Sequence, residues 1–199
     1  MRPVLQPGNE VQATWRARLE DHLGNFTIEP VSFRAARLID DPFKLAGLTA
    51  LTELTQVLPE REPHERVFDA LEIVLDALDD DAVWPALLVR WELGLLDDLG
   101  YGLDLSRCAA TGVNDDLTYV SPKSARAVSA SASEPYRDKL LTLPHFLAGG
   151  TSAPTPSDVL SGFELTGHFL SRHIFQARGV TAPESRSWII ERLKQQAQS

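Results

Sequence analysis

Cysteine occurs once in the 199 residues, at Cys108, so no internal disulfide can form and the fold must be held by its core. No stretch reaches the roughly 18 uncharged apolar residues that a membrane span needs. The opening Met1-Arg2-Pro3-Val4-Leu5-Gln6-Pro7-Gly8 has no apolar run and is not a secretory signal. All three absences fit a reducing, cytoplasmic compartment with no membrane partner. Signatures of chemistry are missing as well. There is no glycine-rich phosphate loop and no G-x-S-x-G elbow. His168 and His173 are five apart, a spacing that points them to different helix faces, whereas a metal pair wants i,i+4. With scattered histidines and one cysteine, zinc is not expected. Cys108 has Arg107 beside it but no Cys/His signature, and reads as an inert structural thiol. Asp97-Asp98 reads as a solvated helix end. No catalytic residue and no cofactor is therefore assigned, and the chain is read as a binding protein and not an enzyme.

What is present is an ordinary globular composition, 43% hydrophobic and 24% charged, enough to bury a real core in one large domain or two small ones. A net charge of −9 argues against simple DNA binding. Its distribution is uneven. Residues 1–38 hold five arginines and four acids, residues 39–101 four basic residues and fifteen acids, and residues 102–199 ten basic residues and nine acids. Contact with a polyanion therefore belongs to the flanks. The acidic middle serves solubility on its plainest reading.

The hydrophobic period changes along the chain. Val11, Ala13, Trp15, Ala17 and Leu19 alternate with Gln12, Thr14, Arg16 and Arg18, which predicts a strand with one buried face. On that reading Trp15 is core. Residues 25–33 predict a second strand, with Pro30 at an edge or bulge. Two strands are marginal alone, so the pair calls for further strands or another cover, and the chain is expected to be shortened at its start. From residue 40 the period is helical. Asp41-Pro42 opens a helix that Pro59 ends; Pro63 opens a second; a third carries Trp84 to Leu99 and stops at Gly100 and Gly102. Residues 103–133 read as a protruding loop or small hairpin around Leu117–Val120, and residues 135–147 as a short helix. Ser157 is expected to cap the next helix, and Thr181-Ala182-Pro183-Glu184 to form a capping box before the last. The fold class is α+β and mostly α.

Arg16 and Arg18 share the polar face of the first strand, which suits phosphate contacts or simply a solvated face. Arg90, beside the apolar stripe of the third helix, is either a structural ion pair or an anchor for an acidic partner peptide.

Several segments are similar to the RecO family: Gln6-Pro7-Gly8-Asn9 before the strand pair, Leu88-Val89-Arg90-Trp91-Glu92-Leu93 running to Leu99-Gly100-Tyr101-Gly102, Asp104-Leu105-Ser106-Arg107-Cys108, Tyr119-Val120-Ser121-Pro122, and Ser185-Arg186. They lie in collinear order over nearly the whole chain, and Arg90 to Cys108 is the most specific part. The resemblance implies a bacterial recombination mediator, nucleoid-associated in the cytoplasm. Such a protein binds single- and double-stranded DNA, anneals strands and contacts RecR. It also takes the C-terminal tail of single-stranded DNA-binding protein, helping RecA to load in the RecF/RecR pathway. It implies a partial OB-fold over residues 1–38 and a helical domain over 39–199. Within that domain, residues 103–133 would be a degenerate zinc knuckle: Cys108 keeps its place, its partner position is Thr111, and the second pair falls near Ser129 and Ala132, leaving a metal-free hairpin. Family members begin several dozen residues earlier. The nucleic-acid candidates are then Arg2, Arg16, Arg18, Arg34 and Arg37. The partner-binding candidates are Arg90 and Trp91, with Arg172, Arg178 and Arg186. The alternative is a helical interaction module that does not touch DNA.

Overall fold

The computed structural model describes residues 4–18 and 23–198. The chain opens with an antiparallel ribbon of β1 (Glu10–Arg16) and β2 (Asn25–Ser32). Trp15 pairs with Phe26, Ala13 with Ile28 and Val11 with Pro30, so these side chains share one face, while Gln12, Thr14 and Arg16 oppose Glu29, Thr27 and Asn25 on the other. The register slips between Glu10 and Val11, opposite Pro30, as a proline in a strand requires. The two-sided pattern is as expected, but Trp15 is not core: it is 49% exposed and Phe26 63%, because no layer covers the apolar face among the described residues. No third strand joins this ribbon among those residues, so an OB barrel is not seen in it, and residues 34–38 already form the helical turn α1 (Arg34–Leu38).

Helices then make the body. α2 (Pro42–Thr55) starts where Asp41 accepts hydrogen bonds from the Phe43 and Lys44 amides, at 3.0 and 3.3 Å, with Pro42 filling the first helical position. It stops at Thr55, short of Pro59. α3 (Glu65–Ala77) and α4 (Trp84–Asp98) follow, and Gly100, at φ +83, turns the chain out of α4 where a side chain would be strained. Trp84, Leu88, Trp91 and Leu95 of α4 all lie at or below 2% exposure, and each such burial contributes about 1.5–3 kcal/mol before the cost of ordering. Phe43 packs on Trp84 with ring centroids 4.6 Å apart. Gly47 lets α2 come this near: a Cβ there would sit 2.9 Å from Leu78.

Residues 103–133 do not simply protrude. β3 (Leu117–Val120) is flanked by β4 (Ala127–Ser129) and by β5 (Leu141–Thr142), and Val120 and Ala127 are fully buried against the helical body. The turn α5 (Ala130–Ser133) leads on, and the helix expected over 135–147 is replaced by short 3-10 turns, Glu134–Lys139 and His145–Leu147, on either side of β5. Pro135 and Pro144 explain why no regular helix runs through.

α6 (Pro156–Leu170) is opened by a capping box whose cap lies two residues before the one expected. The cap is Thr155 and not Ser157, with the Thr155 amide donating to Asp158 at 2.9 Å and the Asp158 amide to Thr155 Oγ1 at 3.2 Å. A π-turn at Ser171–Phe175 continues it into α7 (Gln176–Arg178). The capping box expected at Thr181 does not form: α8 (Glu184–Ala197) begins after Pro183 with no side-chain cap. α2 packs on α8, α3 on α4, and α6 on both α4 and α8. No helix among the described residues is long and apolar enough to cross a membrane.

Candidate functional site

α3 and α4 enclose an elongated groove of about 470 Å³ on the acidic side of the molecule. Its floor is Val67, Val74 and Trp91, all at or below 3% exposure, with Ala70 and Leu87 beside them. The Trp91 indole N–H donates to the Val67 carbonyl at 3.1 Å, so its polar edge is satisfied inside and only apolar surface faces the groove. Ile73, 61% exposed, forms one wall, and at Gly94 an added Cβ would meet nothing within 4 Å. Arg90 leans over the groove. One of its terminal N–H groups donates to the Phe146 carbonyl at 2.8 Å, and its guanidinium lies 5.8 Å from the centre of the Phe146 ring. That contact fixes the fork while its other donors stay free for a carboxylate. The groove is polar at its His64 end, where Asp98 pairs with His64 and Asp97 is exposed, and apolar toward Ile73, Val74 and Leu87.

Arg66 lines the same groove and has no ion-pair partner among the described residues. It is not among the candidates named from the sequence. The signal was available: Arg66, Ala70 and Ile73 recur at i, i+4 and i+7, a second stripe beside Val67 and Val74 that the core alone does not need.

The remaining candidates divide. Arg16 and Arg18 are exposed on or just past β1 and unpaired among the described residues. Arg37 is exposed, with a loose contact of 3.8 Å to Asp79. Arg2 lies outside the described residues. Arg34, in contrast, is buried. It binds Asp76 at 2.9 Å with Glu72 and Glu10 at 3.8 and 3.6 Å, so it ties the ribbon to α3 instead of facing a phosphate. Arg186 is likewise internal. It reaches Glu92, fully buried on α4, at 2.7 and 3.0 Å and the Phe163 carbonyl at 2.8 Å, while Thr166 donates to the same carboxylate. A partner cannot reach it. Arg178 donates to the Val57 carbonyl and Arg172 to the Pro122 carbonyl, so each first of all pins a loop.

The knuckle positions do converge, though not on a metal. Cys108, 1% exposed, receives the Ser129 amide at 3.3 Å and the Ser129 hydroxyl at 3.4 Å. Burial pushes the thiol up, but hydrogen bonds from Ser129 and Thr111 outweigh it and bring it down to about 6. One thiol with two hydroxyls is not a zinc donor set, and no cluster of metal-ligating side chains occurs among the described residues. His168 and His173 each pack on Phe169, with ring centroids 5.1 and 6.2 Å away, the first as its chain neighbour and the second as its i,i+4 neighbour.

A family model described as "Recombination protein O C terminal" matches residues 39–181, from just before α2 to just past α7. Proteins named "DNA repair protein RecO" from Methylobacterium nodulans, Methylorubrum extorquens and Rhizobium etli are 54%, 52% and 52% identical. The matches cover 96%, 94% and 96% of this chain and 79%, 78% and 75% of those proteins. The chain therefore belongs to the RecO family.

Proposed function

We propose that this chain acts in DNA repair and recombination as a mediator, holding polymers and peptide tails without catalysing a reaction. In this reading it binds single- and double-stranded DNA, anneals strands and works with RecR. It takes the tail of single-stranded DNA-binding protein and so helps a recombinase onto coated strands. The groove between α3 and α4 carries the proposal. A tail that is acidic and ends in apolar residues would bury its end on Trp91, Val74 and Leu87 and offer its carboxylate to Arg90. Phosphates would be held by Arg16 and Arg18, on and just past a strand of a partial OB-fold, with Arg37 on α1 and with Arg2, and affinity would fall steeply with salt.

The test is Arg90→Ala with a labelled tail peptide, read by fluorescence anisotropy. Losing a charge-assisted hydrogen bond should weaken binding about ten-fold or more, and unchanged binding would remove the assignment.

A second reading, a helical interaction module without DNA contact, draws support from Arg34, a nucleic-acid candidate that the fold uses internally. A gel shift with a single-stranded oligonucleotide, set beside pull-down of RecR, separates the two.

A further inference from the structure

A second groove, of about 520 Å³, lies against the degenerate knuckle, between the β3–β4 turn and the 3-10 turn Glu134–Lys139. Its chemistry is the reverse of the first. Lys123 and Lys139 line it, and among the described residues no carboxylate does, in a chain of net charge −9. Neither ammonium has an ion-pair or hydrogen-bond partner among those residues. The other lysines, Lys44 and Lys194, are both engaged with carboxylates. Tyr136 stands at the same groove with 61% of its surface exposed, and Pro122, Val128 and Leu140 supply apolar surface beside it.

Lys123 is placed by a built turn. The Ala125 amide donates to the Ser121 carbonyl at 2.9 Å, the Ser121 amide to the Arg126 carbonyl at 2.9 Å, and the Ser124 amide to Ser121 Oγ at 3.3 Å. Arg172 reaches across from the π-turn to the Pro122 carbonyl at 2.9 Å. It holds the tip that carries Lys123 and adds a third positive charge to the rim. A flexible loop would lose entropy on binding; this one is already ordered.

We propose that this groove is a contact for single-stranded nucleic acid, with Lys123 and Lys139 on backbone phosphates and Tyr136 stacking an unpaired base. The proposal rests on the DNA-binding reading above and adds a site to it. Unpaired lysines in a groove that no carboxylate lines among the described residues suit a polyanion, and an open aromatic face suits a base freed from its duplex. An acidic peptide is less well served, since nothing here matches the deep Trp91 floor of the other groove.

The experiment uses the full chain and a labelled oligothymidylate over a range of salt, by fluorescence anisotropy. Lys123→Ala/Lys139→Ala should weaken binding and reduce the salt slope by about 1.4, at ~0.7 per single-strand phosphate. Tyr136→Ala should weaken it at least about five-fold, with Tyr136→Phe restoring it, since stacking needs only the ring. An iododeoxyuridine oligonucleotide should crosslink to the peptide containing Tyr136. All these side chains are exposed, so the variants should keep the wild-type melting transition. If wild type binds, Arg16→Ala/Arg18→Ala abolishes binding and the groove variants change nothing, the groove is not a strand contact and the ribbon reading stands. If the groove variants lose an acidic tail peptide and keep the oligonucleotide, the occupant is a peptide and the proposal falls. If wild type fails to bind any oligonucleotide, the proposal and the DNA-binding reading fall together.

Discussion

Trp84 and Trp15 sit at corresponding points of two apolar patterns and meet opposite fates. Trp84 opens α4, lies at 0% exposure against Phe43 and Gly47, and is enclosed by α2. Trp15 heads the apolar face of the ribbon, pairs across it with Phe26, and remains half in solvent. Both patterns are faithful to their period, 3.6 in one case and two in the other. Periodicity tells which side of an element is apolar. Whether anything covers that side depends on partners elsewhere in the fold. In the helical body most apolar stripes meet a facing stripe; on the ribbon the described residues supply none.

The sharpest way to break this contrast is inside the body. Glu92→Ala would leave the Arg186 guanidinium buried among α4, α6 and α8 without its carboxylate, a loss of about 3–5 kcal/mol. Urea denaturation should show the midpoint falling accordingly. Glu92→Leu/Arg186→Met should recover much of that loss, since a matched apolar pair removes both charges together. A variant as stable as wild type would mean that water, not Arg186, satisfies Glu92. On the tryptophans themselves, Trp84→Ala should cost about 3–5 kcal/mol through the cavity it opens. Trp15→Ala should cost under about 1 kcal/mol, the scale of one cross-strand pair. Equal costs in the same titration would mean that the ribbon face is covered in solution.

How much of this was legible beforehand follows from the same distinction. Asp41-Pro42 and Gly100 announce helix ends because their chemistry is local. Arg90 could be named because it lies beside an apolar stripe of which Trp91 is a member. That Thr111 and Ser129 are poor zinc ligands could be read from their chemistry, though not that Ser129 would bond to Cys108. What escaped is non-local. Arg34 and Arg186 look like any surface arginine until Asp76 and Glu92, far along the chain, are seen to meet them. β5 is two residues whose strand character exists only through pairing with β3. The displaced caps at Thr155 and Pro183 show that motif spelling alone does not settle which residue takes cap geometry.

Asp158 permits a gentler test of the body. Its pKa is lowered chiefly by the Thr155 hydroxyl, which outweighs burial, with help from the Thr155 amide and His145. A carboxyl with a depressed folded pKa contributes stability that is complete above its ordinary value of about 3.9 and disappears as pH falls through the folded value. Asp158→Ala should therefore cost about 1 kcal/mol near neutrality. The gap from wild type should narrow as the medium is acidified below the ordinary carboxylate range, as thermal melts across that window would record. A gap that widened in acid would reverse the assigned sign.

The smallest expected effect concerns the α3–α4 groove, where the body itself leaves an apolar stripe uncovered, as the ribbon does. Asp97 stands exposed at the His64 end, and its charge opposes any acidic ligand that Arg90 and Arg66 attract. It makes no ion pair among the described residues, so Asp97→Asn should leave the melting transition in place. Removing one exposed like charge is worth a few tenths of a kcal/mol to about 1 kcal/mol, so the acidic tail peptide should bind about two- to five-fold tighter at low salt. The gain should shrink as salt rises, because exposed charges are screened. An anisotropy titration in which Asp97→Asn weakened binding would mean that Asp97 accepts a hydrogen bond from the ligand. The groove would then suit a basic or neutral segment, and Arg90 would be no more than the clamp on Phe146.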